Sequence, residues 1–285
     1  MKIGIDSYCY HRHFGEIYPG LESDPGSRMT MSDFLDRAAA LGVEGVSLES
    51  CFFSETGEAF LDHFRSRLDE LKLLRVWAWG HPKGLGSGTM PEALDDLIRH
   101  IGIAKRLGAG VMRICAGGRA TRPQSWVEHK AGLLPLLRKA VAAAERHGVV
   151  LALENHVDLL CDEMLDLITT VDSPWLRVCL DTANNLRLFE DPIEVAAKLA
   201  PFASATHVKD VAARKGNPRT FGFWPSVPLG EGLVDIPATL RLLNEAGYDG
   251  LLALEIDFLD PRFEEEAAIA ASLDYLRKQR ALTAS

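Results

Sequence analysis

Four short apolar stretches of the sequence each lead into a side chain that can bind a metal ion or exchange a proton. They are VVLALENH, which contains Glu154, VCLD, which ends at Asp181, SATH, which ends at His207, and LLALE, which ends at Glu255. A carboxylate at the end of a buried strand is costly to desolvate unless a cation or a hydrogen-bond network holds it. Any one of these residues could be an ordinary strand end, but four in succession predict a metal site made of three carboxylates and one imidazole.

The chemistry of these four side chains restricts the metal. Hard carboxylate oxygens with one imidazole suit Mn²⁺, which we favour, and also Mg²⁺ or Co²⁺ in an open octahedral site, while Zn²⁺ stays an alternative. A substrate carbonyl and its neighbouring hydroxyl could chelate the open positions, and the metal would stabilise the enediolate that forms when a carbon-bound proton is removed.

The elements that must position these residues alternate between short apolar strands and amphipathic helices. Eight such units can be counted, and a chain of 285 residues and 31.3 kDa suits one barrel of this kind. In a parallel barrel the carboxyl ends of all strands open onto one face, so the four residues would converge there. The sequence therefore predicts an α/β fold, a (β/α)8 TIM barrel, with residues 1–285 as a single domain.

Apolar runs and capping residues in the sequence predict where several strands and helices begin or end. The first four strands are predicted over residues 2–6, 45–49, 75–79 and 110–114. Ser32 is predicted to cap the first helix and Thr89 the third, because Ser and Thr side chains can accept hydrogen bonds from the first free N–H groups of a helix.

Other polar residues follow the predicted strands and are candidates for binding substrate. An alternative role is open for each of them, as a salt-bridged strand end, a packed side chain or part of a solvated loop. The cationic members would suit a carboxylate or phosphate group of a substrate, and the histidines would suit hydroxyl groups. These candidates are His11, Glu49, His81, Arg113, His156, Asn184, Lys209 and Arg214.

Composition excludes several classes of function. A net charge of −9 argues against a general nucleic-acid binder, which needs clustered Lys and Arg. No apolar run approaches the roughly 18 residues that a membrane span requires, and the N-terminus lacks the pattern of a signal peptide. The five cysteines show no CxxC spacing, which predicts neither a disulfide framework nor a zinc knuckle and favours a cytoplasmic setting.

At these residues the sequence resembles the xylose-isomerase-like TIM barrels, the sugar phosphate isomerase/epimerase superfamily. The matching stretches are LALENH, VCLDTANN, THVKD and GEGLVDIPATLRLLNEAGYDGLLALEID, and the four predicted ligands follow one another at intervals of 27, 26 and 48 residues. The resemblance implies that Glu154 and Glu255 both bind the metal and act as the acid/base pair, while Asp181 and His207 act only as ligands. It also implies a homo-oligomer, a dimer or a tetramer.

One position departs from the pattern of the superfamily. Many members carry a histidine three residues after the aspartate, and this chain has Asn184 there. An amide can form a hydrogen bond to a substrate oxygen, but it cannot exchange protons as imidazole does. The departure argues against the substrate of typical ketose epimerases. The superfamily also has an endonuclease branch, and that branch needs more histidines at strand ends than this chain provides.

Three hypotheses on function follow. The first is a divalent-metal-dependent isomerase or epimerase that acts on a ketose, a sugar acid or a related small carbohydrate. The second is a decarboxylase of 3-oxo sugar acids, or another lyase, which reaches the same enolate by loss of carbon dioxide or a leaving group. The third is a non-catalytic sugar-binding subunit, against which the intact acid/base glutamates argue.

Overall fold

Eight parallel strands close into a barrel in the structure, a computed structural model that describes residues 1–80 and 83–283. Around the barrel the strands follow the order β1-β10-β7-β6-β5-β4-β3-β2. The barrel strands are β1 (Lys2–Asp6), β2 (Gly45–Glu49), β3 (Leu74–Ala78), β4 (Val111–Ile114), β5 (Val150–Glu154), β6 (Leu176–Asp181), β7 (Ala203–Val208) and β10 (Leu251–Leu254). The predicted (β/α)8 architecture is confirmed.

An outer ring of helices covers the barrel with apolar side chains, as the helical spacing of Leu, Ile and Phe predicts. In the part of the chain that the structure describes, no helix is long and apolar enough to cross a membrane. The helices are α1 (Met31–Ala40), α2 (Glu58–Glu70), α3 (Ala93–Leu107), α4 (Trp126–His147), α5 (Cys161–Val171), α6 (Pro192–Leu199), α7 (Ile236–Glu245) and α8 (Glu265–Thr283).

Two helix starts differ from the predicted ones. The side chain of Thr30, not that of Ser32, caps α1: its Oγ1 accepts a hydrogen bond from Asp33 N at 3.2 Å, and the Asp33 carboxylate accepts one from Thr30 N at 2.8 Å. This reciprocal pair satisfies two free N–H groups at once, which Ser32 cannot do from inside the helix. Thr89 instead donates to Gly86 O at 2.6 Å within a turn, and α3 begins later, at Ala93.

The cap at Thr30 gives a prediction for stability. Thr30→Ala is expected to lower the free energy of unfolding by about 1 kcal/mol, because Asp33 N loses its acceptor. Ser32→Ala is the matched control, since Ser32 is exposed on the first turn and is expected to change little. Urea unfolding of the two variants measures the difference, and equal losses would contradict the assignment of the cap.

Several barrel strands carry glycine or alanine on the inside of the barrel. Gly4 and Gly45 face each other across β1 and β2, and a Cβ atom on Gly4 would lie only 2.8 Å from Gly45 O. Ala152, Ala205 and Ala253 lie on the inside of other strands. Leu251 fills the space beside the two glycines, since a Cβ atom on either of them would lie only 2.5 Å from its Cδ1.

Two long segments cover that carboxyl-terminal end. Residues after β1 form a 3-10 helix, Ser7–Phe14. The segment after β7 is a hairpin in which β8 (Asp210–Val211) pairs antiparallel with β9 (Ser226–Val227), and Phe221–Phe223 form a 3-10 turn near its tip. The five cysteines are free thiols, in agreement with the absence of a disulfide pattern.

Candidate functional site

The ends of β5, β6 and β7 bring together Glu154, Asp181 and His207. Each of these residues offers a ligand atom, and the three atoms lie within 4.8 Å of one another in the core. Glu255 follows β10 directly, and its Oε2 lies 3.5 Å from His207 Nδ1, while Glu154 Oε1 lies 3.6 Å from the same nitrogen. The arrangement could hold a divalent cation.

The backbone fixes Asp181 so that only one of its oxygens faces the other residues. Its Oδ1 accepts hydrogen bonds from Ala183 N and Asn184 N, each at 2.8 Å. Asn155 accepts from Asp181 N at 2.7 Å and donates to Asp181 O at 2.8 Å, which ties the end of β6 to that of β5. Oδ2 accepts no hydrogen bond from a described residue and is therefore the oxygen that could bind a cation.

Glu154 is held as a carboxylate by donors on both of its oxygens. Oε1 accepts from Asn184 Nδ2 at 3.0 Å, and Oε2 accepts from Cys115 Sγ at 3.3 Å and lies 3.3 Å from Arg113 Nε. Burial acts to raise the pKa of Glu154, but the charges of Arg113 and His207 outweigh it and hold the pKa well below its ordinary value.

His207 provides the test of whether these residues fit a metal. Its side chain is 1% exposed, and neither ring nitrogen forms a hydrogen bond with a described residue. Asp6 Oδ2, 3.4 Å from His207 Nε2, is equally without a hydrogen-bond partner among the described residues. Buried polar atoms are rarely left in this state without a ligand or water, so the donor set fits a cation bound at His207.

Glu255 is bound by the ammonium group of Lys209. Lys209 Nζ lies 2.6 Å from Glu255 Oε2, 3.1 Å from Asp181 Oδ2 and 3.3 Å from Asp257 Oδ2. Burial acts to lower the pKa of Lys209, but the three carboxylates outweigh it and raise the pKa well above its ordinary value. Burial raises the pKa of Glu255, and the charges of Lys209 and His207 oppose this rise.

Glu49 and Arg113 form a buried ion pair beside the same site. A guanidinium nitrogen of Arg113 contacts Glu49 Oε1, and both side chains are less than a tenth exposed. Burial acts to raise the pKa of Glu49, and the charge of Arg113 acts to lower it. Arg113 thus connects Glu49 with Glu154, and its charge is shared between two carboxylates.

These groups lie at the floor and on the walls of a pocket of about 400 Å³ at the carboxyl-terminal end of the barrel. Its wall includes Tyr8 and Tyr18, whose hydroxyl groups lie 2.6 Å apart, and Phe221, whose ring lies 4.6 Å from that of Tyr18. The lining residues are Tyr8, Glu16, Tyr18, Glu49, Cys51, Gly80, Gly84, Arg113, Cys115, Gly117, Glu154, His156, Asn184, Arg187, Lys209, Phe221, Glu255 and Asp257. The surface suits a small polar molecule.

Two of the predicted substrate residues line this pocket with defined orientations. His156 Nδ1 lies 2.8 Å from Gly117 O, and because a carbonyl oxygen only accepts, Nδ1 carries a proton. Asn184 donates to Glu154 and accepts from Arg187 Nη1 at 3.2 Å, so its amide bridges a predicted ligand and a cation.

Two other predicted substrate residues, His11 and Arg214, do not line this pocket. His11 is buried behind the wall, where its ring stacks on Tyr8 and binds Glu22 through Nε2 at 3.0 Å. Arg214 is exposed on the hairpin and does not line the pocket among the described residues. His81 lies outside the described residues.

Among the site residues that the sequence reasoning did not predict, Asp6, Cys115, Arg187 and Asp257 contact predicted ones. Asp6 ends β1, and Cys115 follows β4, so both fit the rule that strand ends carry the functional groups. Arg187 and Asp257 form a buried ion pair in which Nη2 and Oδ2 lie 2.9 Å apart. Arg187 comes three positions after Asn184, and Asp257 two positions after Glu255. A complete survey of strand-end residues would have found Asp6, and the EID sequence at Glu255 would have suggested Asp257.

Comparisons with known proteins identify a family and several relatives that resemble this chain. The sequence profile of the family described as xylose isomerase-like TIM barrel matches residues 35–279. The chain is 29% identical over 254 residues to 2-epi-5-epi-valiolone 7-phosphate 2-epimerase of Actinoplanes sp., a match that covers 85% of this chain and 87% of that one. It is 29% identical over 169 residues to 3-oxo-isoapionate decarboxylase of Pectobacterium atrosepticum, which covers 59% of this chain and 60% of the relative.

A solved structure shares the fold. The xylose isomerase domain protein from Planctomyces limnophilus superposes with a TM-score of 0.75 at 24% identity, over 88% of this chain and 92% of that protein. The profile match spans most of the chain and includes all four strand ends that carry Glu154, Asp181, His207 and Glu255. The chain belongs to the xylose isomerase-like TIM barrel family.

Proposed function

We propose that the protein is a divalent-metal-dependent isomerase or epimerase of a ketose, a sugar acid or a related carbohydrate. The observation that carries the proposal is the convergence of Glu154, Asp181 and His207 within 4.8 Å, with Glu255 against the same imidazole, at the floor of a polar pocket. The similarity to a 2-epi-5-epi-valiolone 7-phosphate 2-epimerase over most of both chains supports the reaction class.

The chain's own residues would divide the work between them. Glu154 and Glu255 are the candidates for proton transfer, because both line the pocket and both lie within 3.6 Å of His207 Nδ1. Asp181 and His207 would act as ligands only, since both lie beneath the surface of the pocket. A bound divalent cation would supply Lewis-acid stabilisation of the negative charge that develops on the substrate when a carbon-bound proton leaves.

Metal binding gives a prediction that needs no substrate. At a free Mn²⁺ concentration of ~100 Kd, the metal-depleted protein is expected to gain about 2.7 kcal/mol in stability and to melt several degrees higher. Asp181→Asn is expected to abolish most of this gain, because it removes the charge of the free Oδ2. Asp162→Asn, in an exposed ion pair with Lys198, is the control and should keep it. Thermal melts with Mn²⁺, Mg²⁺, Co²⁺ and Zn²⁺ measure both effects and rank the metals.

A lyase reaction is the second candidate, and one observation favours it. Arg113, Arg187 and Lys209 all line the pocket, where a carboxylate of a sugar acid could contact them. The similarity to a 3-oxo-isoapionate decarboxylase supports this alternative. Loss of carbon dioxide would leave the same enolate, so the two reactions need the same ligands and differ in the bond that breaks.

The experiment that tests the proposal identifies the product. The metal-loaded protein is incubated with ketoses, sugar phosphates and 3-oxo sugar acids, and the mixtures are followed by ¹H and ¹³C NMR. Conversion of a sugar into its isomer or epimer, lost in Glu255→Gln, would support the isomerase. Release of carbon dioxide or water without interconversion of isomers would move the assignment to a lyase, and no turnover of any member by either route would oppose both.

A further inference from the structure

Lys209 occupies an unusual place between the predicted ligands. Its side chain is 3% exposed, and Nζ contacts Glu255, Asp181 and Asp257 within 3.3 Å. The contact with Asp257 Oδ2 has the geometry of a hydrogen bond, whereas those with Asp181 and Glu255 are ion pairs without hydrogen-bond geometry.

The backbone of Lys209 is fixed, so only its side chain can change position. Lys209 N donates to Thr182 Oγ1 at 2.8 Å, and Thr182 Oγ1 donates to Lys209 O at 2.6 Å. This pair of hydrogen bonds ties the end of β7 to the segment after β6. The four-carbon chain beyond Cα then carries the ammonium group into the site as a flexible extension.

The two shortest contacts of the ammonium group use the atoms that a metal would need. Asp181 has only Oδ2 available, because its Oδ1 accepts from two backbone N–H groups. Glu255 Oε2, the oxygen that Lys209 binds at 2.6 Å, is also the one nearest to His207 Nδ1. A divalent cation and an ammonium group bound to the same carboxylate oxygens would repel each other strongly in a buried site.

The third contact is of a different kind. Asp257 is not among the predicted ligands, and its carboxylate is fixed by other donors, Arg187 Nη2 at 2.9 Å to Oδ2 and Ser226 Oγ at 2.6 Å to Oδ1. Asp257 can therefore stay in contact with Lys209 Nζ when the carboxylates of Asp181 and Glu255 bind a metal.

We infer that Lys209 is an internal counter-cation which occupies the carboxylates of Asp181 and Glu255 in the metal-free protein, and that metal binding displaces it onto Asp257. The inference rests on the proposed metal-dependent function. Its consequence is that the affinity for the metal is set by competition with a side chain of the same protein.

The test is a double-mutant cycle read out as Mn²⁺ affinity, by calorimetry or by the EPR signal of free Mn²⁺. Lys209→Met is expected to lower the Kd for Mn²⁺ at least about tenfold, because the competing charge is gone. Asp257→Asn is expected to raise the Kd about tenfold in the wild-type background and less than about threefold in Lys209→Met, because Asp257 acts by receiving Lys209.

The outcomes separate this inference from the proposed function. If neither wild type nor Lys209→Met binds Mn²⁺, the proposed function fails and the inference fails with it. If wild type binds Mn²⁺ but Lys209→Met has the same Kd, or Asp257→Asn raises the Kd equally in both backgrounds, only the inference is overturned.

A structure of the metal-loaded wild-type protein gives a second readout, which stands even if Asp257→Asn does not fold. Lys209 Nζ within hydrogen-bond distance of Asp257 and away from Asp181 would support the displacement. Lys209 Nζ still bound to Asp181 beside the metal would overturn it.

Discussion

Glu154→Gln is expected to lower kcat/KM on the natural substrate by roughly 10³-fold, the size of effect that loss of a general acid or base has. Gln keeps the size of the side chain but can neither take up a proton nor offer an anionic oxygen. The donors that surround Glu154, from Arg113, Cys115 and Asn184, would face an amide instead of a carboxylate. Steady-state kinetics with saturating metal measure the loss.

The control for this variant must separate chemistry from folding. Glu58→Gln changes a glutamate whose side chain is 83% exposed and is expected to leave kcat/KM unchanged. Circular dichroism should show the same secondary structure for both variants. A Glu154→Gln protein that keeps more than a tenth of the activity would contradict the assignment of Glu154 to proton transfer.

Arg187→Met is expected to lower the free energy of unfolding by about 3–5 kcal/mol, because it leaves a buried charge without its main partner. Arg187 is 5% exposed and binds Asp257 at 2.9 Å, Asn184 Oδ1 and Trp224 O each at 3.2 Å, and its guanidinium lies 4.7 Å from the Phe221 ring centroid. Burial acts to raise the pKa of Asp257, but Arg187 and Lys209 hold that pKa below its ordinary value. The carboxylate would lose much of this support.

The chain offers a close control for this variant. Arg262 also pairs with an aspartate, Asp260 at 3.0 Å, and also lies near an aromatic ring, Phe263, but its side chain is 70% exposed. Arg262→Met is expected to cost about 1 kcal/mol or less, as exposed ion pairs do. Urea unfolding of both variants without added metal gives the comparison, and losses of equal size would show that burial of the Arg187 pair adds no stability.

The sequence predicts the barrel and the four strand ends because both depend on signals that are local. A buried strand is a run of apolar residues, and its last residue is visible in the sequence, so Glu154, Asp181 and His207 could be placed at one end of the barrel before the structure was known. Hydrophobic burial determines these features, and it leaves a clear pattern in the sequence.

Other features of the site depend on contacts between distant residues, and no local pattern gives them. Thr30 caps α1 because its side chain accepts a hydrogen bond from Asp33 N while the Asp33 carboxylate accepts one from Thr30 N. Ser32 is an equally plausible cap from its residue type alone. His11 has the residue type and the position after a strand that are expected of a substrate ligand. In the structure its Nε2 instead contacts the Glu22 carboxylate, in the segment that follows β1.

The same holds for the cations of the pocket. The sequence identifies Arg113 and Lys209 as positive charges near strand ends, but not the carboxylates that they bind. Each of them pairs with a glutamate that comes from another strand, so their availability to a substrate depends on side-chain geometry. The position of Lys209 between Asp181 and Glu255 is a property of the folded barrel alone.

The most direct test of the proposed function is the exchange of a carbon-bound proton with solvent. The protein, loaded with diamagnetic Mg²⁺ in deuterated water, is mixed with the carbohydrate that it converts, and the substrate and product are examined by NMR. The proposal predicts that deuterium appears on the carbon next to the carbonyl group, that chelation of the metal stops the exchange, and that Glu154→Gln and Glu255→Gln abolish it. Turnover without deuterium at that carbon, or exchange that persists after the metal is removed, would contradict proton abstraction at this metal site.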